Sequence, residues 1–142
     1  MPALAPDAAI AAVLAADGSL SLVAGTSLFC GPMPDGGPNA RPAIPDLCVA
    51  VMITGGGQNE PYIDGGAGAE LCRTTVQVFV RGDRDAFEAG QTKARAIRNS
   101  LNFATVTDYT GCDIRESEPT WLGFDETRRP LWTMNAELLW KN

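Results

Sequence analysis

The 142-residue sequence contains no histidine. This absence excludes Ser-His and Cys-His nucleophile arrangements and any histidine metal site. Its four cysteines, Cys30, Cys48, Cys72 and Cys112, are widely spaced and include no C-x-x-C pair, whereas zinc sites usually take their ligands from close pairs. We interpret them as four buried, reduced, strand-associated side chains that act as small hydrophobes. No cofactor is expected.

Long apolar runs and basic stripes are also missing. No stretch reaches the roughly 18 apolar residues of a membrane helix, and the apolar segment 8–16 has no Lys or Arg before it. We therefore expect neither a membrane partner nor a secretory signal. The net charge is −6 and Arg41 is the first basic residue, so a duplex DNA footprint is not expected. An acidic surface can still line a channel through which DNA slides, because it repels phosphate.

Hydrophobic periodicity predicts two helices. Pro6 and Asp7 are a good helix start, and Ile10, Val13 and Leu14 then recur on one face. A longer helix is predicted over about residues 85–101, with acids in its first turn and bases toward its end, an order that suits the helix dipole.

Alternating patterns predict the strands. Residues 46–54 are apolar on both faces, which is typical of a central strand. Further strands are predicted at 72–81, 112–117 and 131–140, after short β-like pieces before Gly31. The order α-β-β-β-α-β-β predicts one α+β domain over residues 1–142, with two helices packed on one face of a mostly antiparallel sheet.

Three long loops are predicted, at about residues 31–45, 55–69 and 119–130. The second is glycine-rich, and Tyr62 and Ile63 are its only sizeable apolar side chains, so we expect them to anchor it on a neighbouring subunit or partner. A phosphate-binding interpretation of Gly65–Gly68 fails, because no G-K-[ST] follows and the next element is a strand.

Two groups of charged residues remain open to alternative interpretations: a local salt-bridge network or a contact between subunits. One group lies at the predicted strand–helix corner and the other in the third loop, and a general acid/base role for the paired carboxylates is the weaker interpretation. The candidates are Arg81, Asp83, Arg84, Asp85, Asp125, Glu126, Arg128 and Arg129, together with Trp121 of the same loop.

Several segments of the sequence resemble those of a known protein family. Residues 73–89, R-T-T-V-Q-V-F-V-R-G-D-R-D-A-F-E-A, and 93–101, K-A-R-A-I-R-N-S-L, resemble the V-Q-V-x-V-R-G…A…A…I…L core of tailed-phage tail terminators, also called minor capsid or tail completion proteins. Residues 121–135, W-L-G-F-D-E-T-R-R-P-L-W-T-M-N, resemble the L-G-x-D-E-x-x-R-P segment of that family. The resemblance covers residues 7–140, although the segment 55–69 is longer and richer in glycine than the family pattern.

The resemblance implies a virion protein without enzymatic activity, assembled in the bacterial host cytoplasm. It implies a homo-hexameric ring at the head-proximal end of the tail tube, which stops growth of the tube. The implied partners are the tail tube protein and a head-neck connector or head-closure protein, while DNA passes through the lumen without specific binding. The alternatives are a head-closure or connector protein of the same neck, or a monomeric ligand-binding α+β domain with residues 55–69 as a lid.

Overall fold

The computed structural model describes residues 2–36, 43–61 and 68–142. Within these ranges the chain forms two helices and seven strands. In chain order they are α1 (Pro6–Ala16), β1 (Leu28–Cys30), β2 (Cys48–Gly56), β3 (Glu60–Pro61), β4 (Glu70–Arg81), α2 (Phe87–Leu101), β5 (Gly111–Ile114), β6 (Thr120–Phe124) and β7 (Pro130–Lys141). Neither helix is long and apolar enough to cross a membrane in this described part of the chain.

One mixed sheet organises the fold. Its strand order is β1-β2-β4-β7-β5, with β3 paired to β4 and β6 paired to β7. Only β1 and β2 run parallel among the described strands, and the remaining pairs are antiparallel. The α+β class and the order of the main elements are therefore confirmed. The two strands that the prediction omitted are β3 and β6.

The core lies between this sheet and the helices. Val76, Val78 and Val80 of β4 are fully buried, because their shared face is covered by α1 and α2. Residues of the α2 stripe such as Ala94 and Ile97 are equally buried, as the helical spacing predicts. The predicted central position of β2 is also confirmed, since Cys48–Val51 is buried on both faces.

The chain connections emerge at two opposite ends of the strands. Arg81 ends β4 beside residues 34–35 and 45–46 and beside the turn between β6 and β7. Gly56, where β2 ends, and Glu70, where β4 begins, lie at the other end. Tyr62 and Ile63 fall between them, outside the described residues. The two strand ends therefore present different segments.

Three predictions needed correction. The segment 55–69 is not a loop throughout, because β2 extends to Gly56 and β3 pairs with β4. The segment 119–130 is not a simple loop, because β6 forms a hairpin with β7. A bulge between Trp121 and Gly123, with Gly123 at φ +100°, interrupts the period of two that would have shown the strand. Cys30 is exposed rather than buried, because it is the last residue of a three-residue edge strand. The other three cysteines are buried and free, and burial raises the pKa of Cys112 to about 11.

Candidate assembly surfaces

The charged corner lies where β4 ends and α2 approaches, and Arg81 is its centre. This side chain is only 2% exposed. Its guanidinium donates to the carbonyl oxygens of Pro34 (2.5 Å), Pro45 (3.2 Å) and Asp46 (2.8 Å). Burial lowers the pKa of Arg81, and the positive charge of Arg129 nearby lowers it further. Arg81 therefore clamps both described flanks of the first long loop onto the sheet.

Arg129 makes a second clamp beside the first. Its side chain is 8% exposed, and it donates to Oδ2 of Asp125 and to the carbonyl oxygen of Asp35, both at 2.7 Å. Its Nη1 lies 3.5 Å from Oδ1 of Asp46. Burial pushes the pKa of Asp125 upward, but hydrogen bonds from Arg129 and Thr127 outweigh it and hold the pKa below its ordinary value. The hairpin turn is thereby fixed to the loop.

The remaining charged residues of the corner are exposed. Arg84 lies 3.4 Å from Asp46, and Arg128 lies 2.5 Å from Asp85. The carboxylates of the other two predicted residues, Asp83 and Glu126, are exposed as well. The isolated subunit thus shows the local-network alternative, with both buried arginines bound within their own chain. A contact between subunits remains a prediction for the exposed members of the group.

An aromatic cluster joins β6 to the core. The ring centroid of Trp121 lies 4.8 Å from the ring centroid of Phe87 and 5.2 Å from those of Trp132 and Phe124. Trp132 is 1% exposed, so the cluster runs from the interior to the surface. Aromatic pairs at these separations attract each other beyond their burial. The outermost ring, Phe124, lies 5.8 Å below the guanidinium of Arg128.

The surface of β6 is apolar although it faces solvent. Trp121 is 41% exposed, and Leu122 and Phe124 are each 48% exposed. Within the described residues β6 pairs with β7 alone, so its outer side is a sheet edge. Sequence reasoning named Trp121 but missed Leu122 and Phe124. Leu122 lies between Trp121 and Gly123 rather than between polar residues, so no alternation of apolar and polar residues marked it in the sequence.

A third feature is a charged group on the sheet face opposite the helices. Glu137 of β7 accepts from Nη1 of Arg73 at 3.0 Å and from Nη2 of Arg115 at 2.5 Å. The hydrogen bond from Arg115 is the main cause that lowers the pKa of Glu137 below its ordinary value of 4.5. These three residues link β4, β7 and the segment after β5.

A shallow apolar groove of about 300 Å³ lies between α1 and the segment after α2. Ala9, Ala12, Val13 and Val106 contribute to its lining. Its lining is mostly apolar and offers few converging polar groups that would orient a small molecule there.

Comparisons with known proteins give a family match for the sequence and a similar solved structure for the fold. Residues 17–141 match the family model described as bacteriophage tail terminator protein. Among solved structures, the fold is similar to a chain of the structure titled "Virion of native gene transfer agent (GTA) particle", with a TM-score of 0.64 and 16% identity, covering 97% of this chain and 96% of that one. At such identity the likeness supports the fold alone. No protein of curated function matches the sequence.

Proposed function

The chain belongs to the bacteriophage tail terminator family, and from this membership we propose that it is a structural virion protein that ends growth of the tail tube. The family match carries the proposal, because it extends over residues 17–141 and so includes the whole sheet and α2. The protein acts by binding other proteins rather than by catalysis. Its place is the head-proximal end of the tail, after assembly in the host cytoplasm.

The assembled form proposed here is a homo-hexameric ring. In a ring each subunit contacts its neighbours head to tail, so it must present two different and complementary surfaces. The apolar surface of β6, next to the exposed charges of the corner, is a candidate for one of these surfaces. The acidic balance of the chain, −6 per subunit, suits a lumen through which DNA passes without binding.

Termination requires that the two faces of the ring differ. A tube grows because each ring exposes a surface that recruits the next, so a terminator must bind that surface on one side without reproducing it on the other. The two strand ends of this fold carry different segments, with the arginine clamps at one end and the connection after Gly56 at the other. One face would bind the tail tube protein and the other a head-neck connector or head-closure protein.

The test is deletion of the protein from the phage, followed by electron microscopy of the lysate. Filled heads beside unattached and overlong tails are expected, and purified protein added to growing tubes should fix their length, with buffer alone as the control. Tails of normal length that fail to join heads would instead favour a head-closure or connector role. Tails of normal length that join heads would contradict the proposal.

A further inference from the structure

Two buried arginines converge on one backbone oxygen at the end of β4. Nη1 of Arg129 donates to the carbonyl oxygen of Asp35 at 2.7 Å, and Nη1 of Arg81 reaches the same oxygen at 3.3 Å. Both arginine side chains are buried. Two like charges are therefore held close together and away from water, and this arrangement is stable only where carboxylates and carbonyl groups compensate the charges.

The compensating groups belong to two segments that are distant in the chain. Asp46 lies between β1 and β2, in the part here called the loop flanks (residues 31–36 and 43–46), and Asp125 lies in the hairpin turn (residues 125–129). Arg129 contacts the carboxylates of both, Asp125 at 2.7 Å and Asp46 at 3.5 Å. Arg81 donates to the carbonyl oxygen of Asp46 at 2.8 Å. If one segment moved away alone, a buried positive charge would lose part of its compensation, so separate opening of either segment is costly.

The hairpin turn depends on the same contacts for its shape. Oδ1 of Asp125 accepts from the backbone N–H groups of Thr127 and Arg129. Arg128, between them, has a φ of 64°, a backbone conformation that residues other than glycine rarely adopt. Such a conformation persists only while its surroundings hold it in place. Loss of the contacts of Arg129 therefore allows the hairpin turn to rearrange.

Cys48 lies beside these contacts, on the sheet face opposite the helices. It is fully buried and pairs with Arg81 across the ladder between β2 and β4. Burial raises the pKa of the Cys48 thiol, while the positive charges of Arg81 and Arg129 act in the opposite direction, so both guanidinium groups lie near it. Because Cys48 follows Asp46 by two residues, displacement of the loop flanks at Asp46 exposes this thiol before the rest of the core.

We infer that four residues, here called the latch, make the loop flanks and the hairpin turn open and close as one unit. The latch consists of Asp46, Arg81, Asp125 and Arg129. It couples positions as far apart in the chain as Asp35 and Arg129, which are separated by 94 residues. A protein that binds the open form of either segment shifts the population of both. The latch operates within one subunit, so the inference does not depend on the proposed ring or on the proposed function.

Two measurements on the full chain follow the two segments separately. Alkylation of Cys48 by iodoacetamide, resolved from the other cysteines by mass spectrometry of peptides, follows the loop flanks. Hydrogen exchange at the backbone N–H of Asp125, which donates to the carbonyl oxygen of Arg129 at 3.0 Å, follows the hairpin turn. Cys112, buried in the main core, reports global unfolding.

The wild-type protein already gives a test. Each rate, divided by the rate of the same group when unprotected, gives an opening constant for its segment. The constants from Cys48 and from the N–H of Asp125 should agree within about twofold, and Cys48 should react faster than Cys112, because local opening precedes global unfolding. This comparison needs no substitution, so it decides the question even if a variant fails to fold.

Arg129→Met tests the coupling directly. It removes the side-chain contacts to both segments, so the opening constants of Cys48 and of the Asp125 N–H should both rise by at least about tenfold, as loss of hydrogen bonds to charged groups does. Arg128→Met is the matched control. It removes the same charge from the same turn, but the pair that it breaks with Asp85 is exposed, so both constants should change by less than about twofold.

Three results would overturn the inference. Faster exchange at Asp125 in Arg129→Met, with alkylation of Cys48 at the wild-type rate, would show that the two segments open independently. A wild-type Cys48 that reacts no faster than Cys112 would show that only global unfolding exposes this thiol. An equal effect of Arg128→Met would assign the coupling to the net charge of the hairpin turn rather than to the latch.

Discussion

Gly90→Ala tests how tightly α2 is packed on the sheet. Gly90 is buried in the helix, and a Cβ at this position would lie 2.5 Å from Cζ3 and 2.6 Å from Cη2 of the Trp132 ring. Ordinary contacts between carbon atoms begin near 3.5 Å, so the overlap is about 1 Å. The ring cannot move aside without cost, because it is 1% exposed and packs against Phe87 and Trp121.

Two effects of opposite sign decide the result. Replacing glycine by alanine in a helix stabilises it by about 1 kcal/mol when nothing else changes. Inserting a methyl group into a packed core costs about 1–3 kcal/mol, and this site is at the upper end because an aromatic ring must shift. We expect a net loss of about 1–2 kcal/mol in the free energy of unfolding, equivalent to a melting temperature lower by about 3–8 °C for a chain of this size.

The assay is urea unfolding followed by tryptophan fluorescence and circular dichroism. The control is the pair Thr92→Ala and Thr92→Gly, at an exposed position of the same helix. Their difference in stability measures the helix propensity of alanine relative to glycine where the added methyl group meets no other side chain. Trp132→Phe in the Gly90→Ala background should recover part of the loss, because the shorter ring vacates the space. The packing of α2 on Trp132 would be refuted if Gly90→Ala raised the free energy of unfolding above that of wild type by as much as Thr92→Ala exceeds Thr92→Gly.

Three further substitutions test other parts of the structure. Phe87→Ala should cost about 2–3 kcal/mol, less than a fully buried Phe because the ring is only half-buried, as measured by the urea midpoint. Arg81→Met should lower the free energy of unfolding by at least about 3 kcal/mol, because it leaves buried carbonyl groups without donors. It should also speed proteolytic cleavage within residues 31–46. An unchanged rate of cleavage would contradict the role of Arg81 as a clamp. Glu137→Gln tests pH dependence: the lowered pKa of Glu137 contributes stability that is present above its ordinary value of 4.5 and is lost as the pH falls through the folded-state value. The variant should therefore flatten the fall in stability below about pH 4.5, whereas Glu118→Gln, at an exposed surface pair, should leave it unchanged.

Regular patterns made the main elements predictable. In β4 the alternation of Val76, Val78 and Val80 matches the period of a strand, and each faces a buried residue of β7 across the ladder. In α2 the spacing of Ala94, Ile97 and Leu101 matches one face of a helix. These signals are local, so a single sequence contains them completely.

The partners of charged side chains were not predictable in the same way. Arg81 was expected to bind acidic side chains at the corner, but its acceptors are backbone carbonyl oxygens of residues 34, 35, 45 and 46. A carbonyl group is present at every residue and leaves no compositional signal. Only the path of the chain between β1 and β2 brings these groups to the guanidinium.

The internal use of the corner charges determines where assembly energy can come from. Arg81 and Arg129 are buried and bound within the subunit, and an exposed pair such as Arg128–Asp85 is worth under about 1 kcal/mol. The corner nevertheless positions β6, because the backbone N–H of Gly82 donates to the carbonyl oxygen of Pro130, and that of Asp85 to the carbonyl oxygen of Arg128, at the base of the β6–β7 hairpin. The corner therefore fixes the base of the hairpin, and the apolar side chains of β6, which water solvates poorly, are left exposed for the proposed assembly contacts.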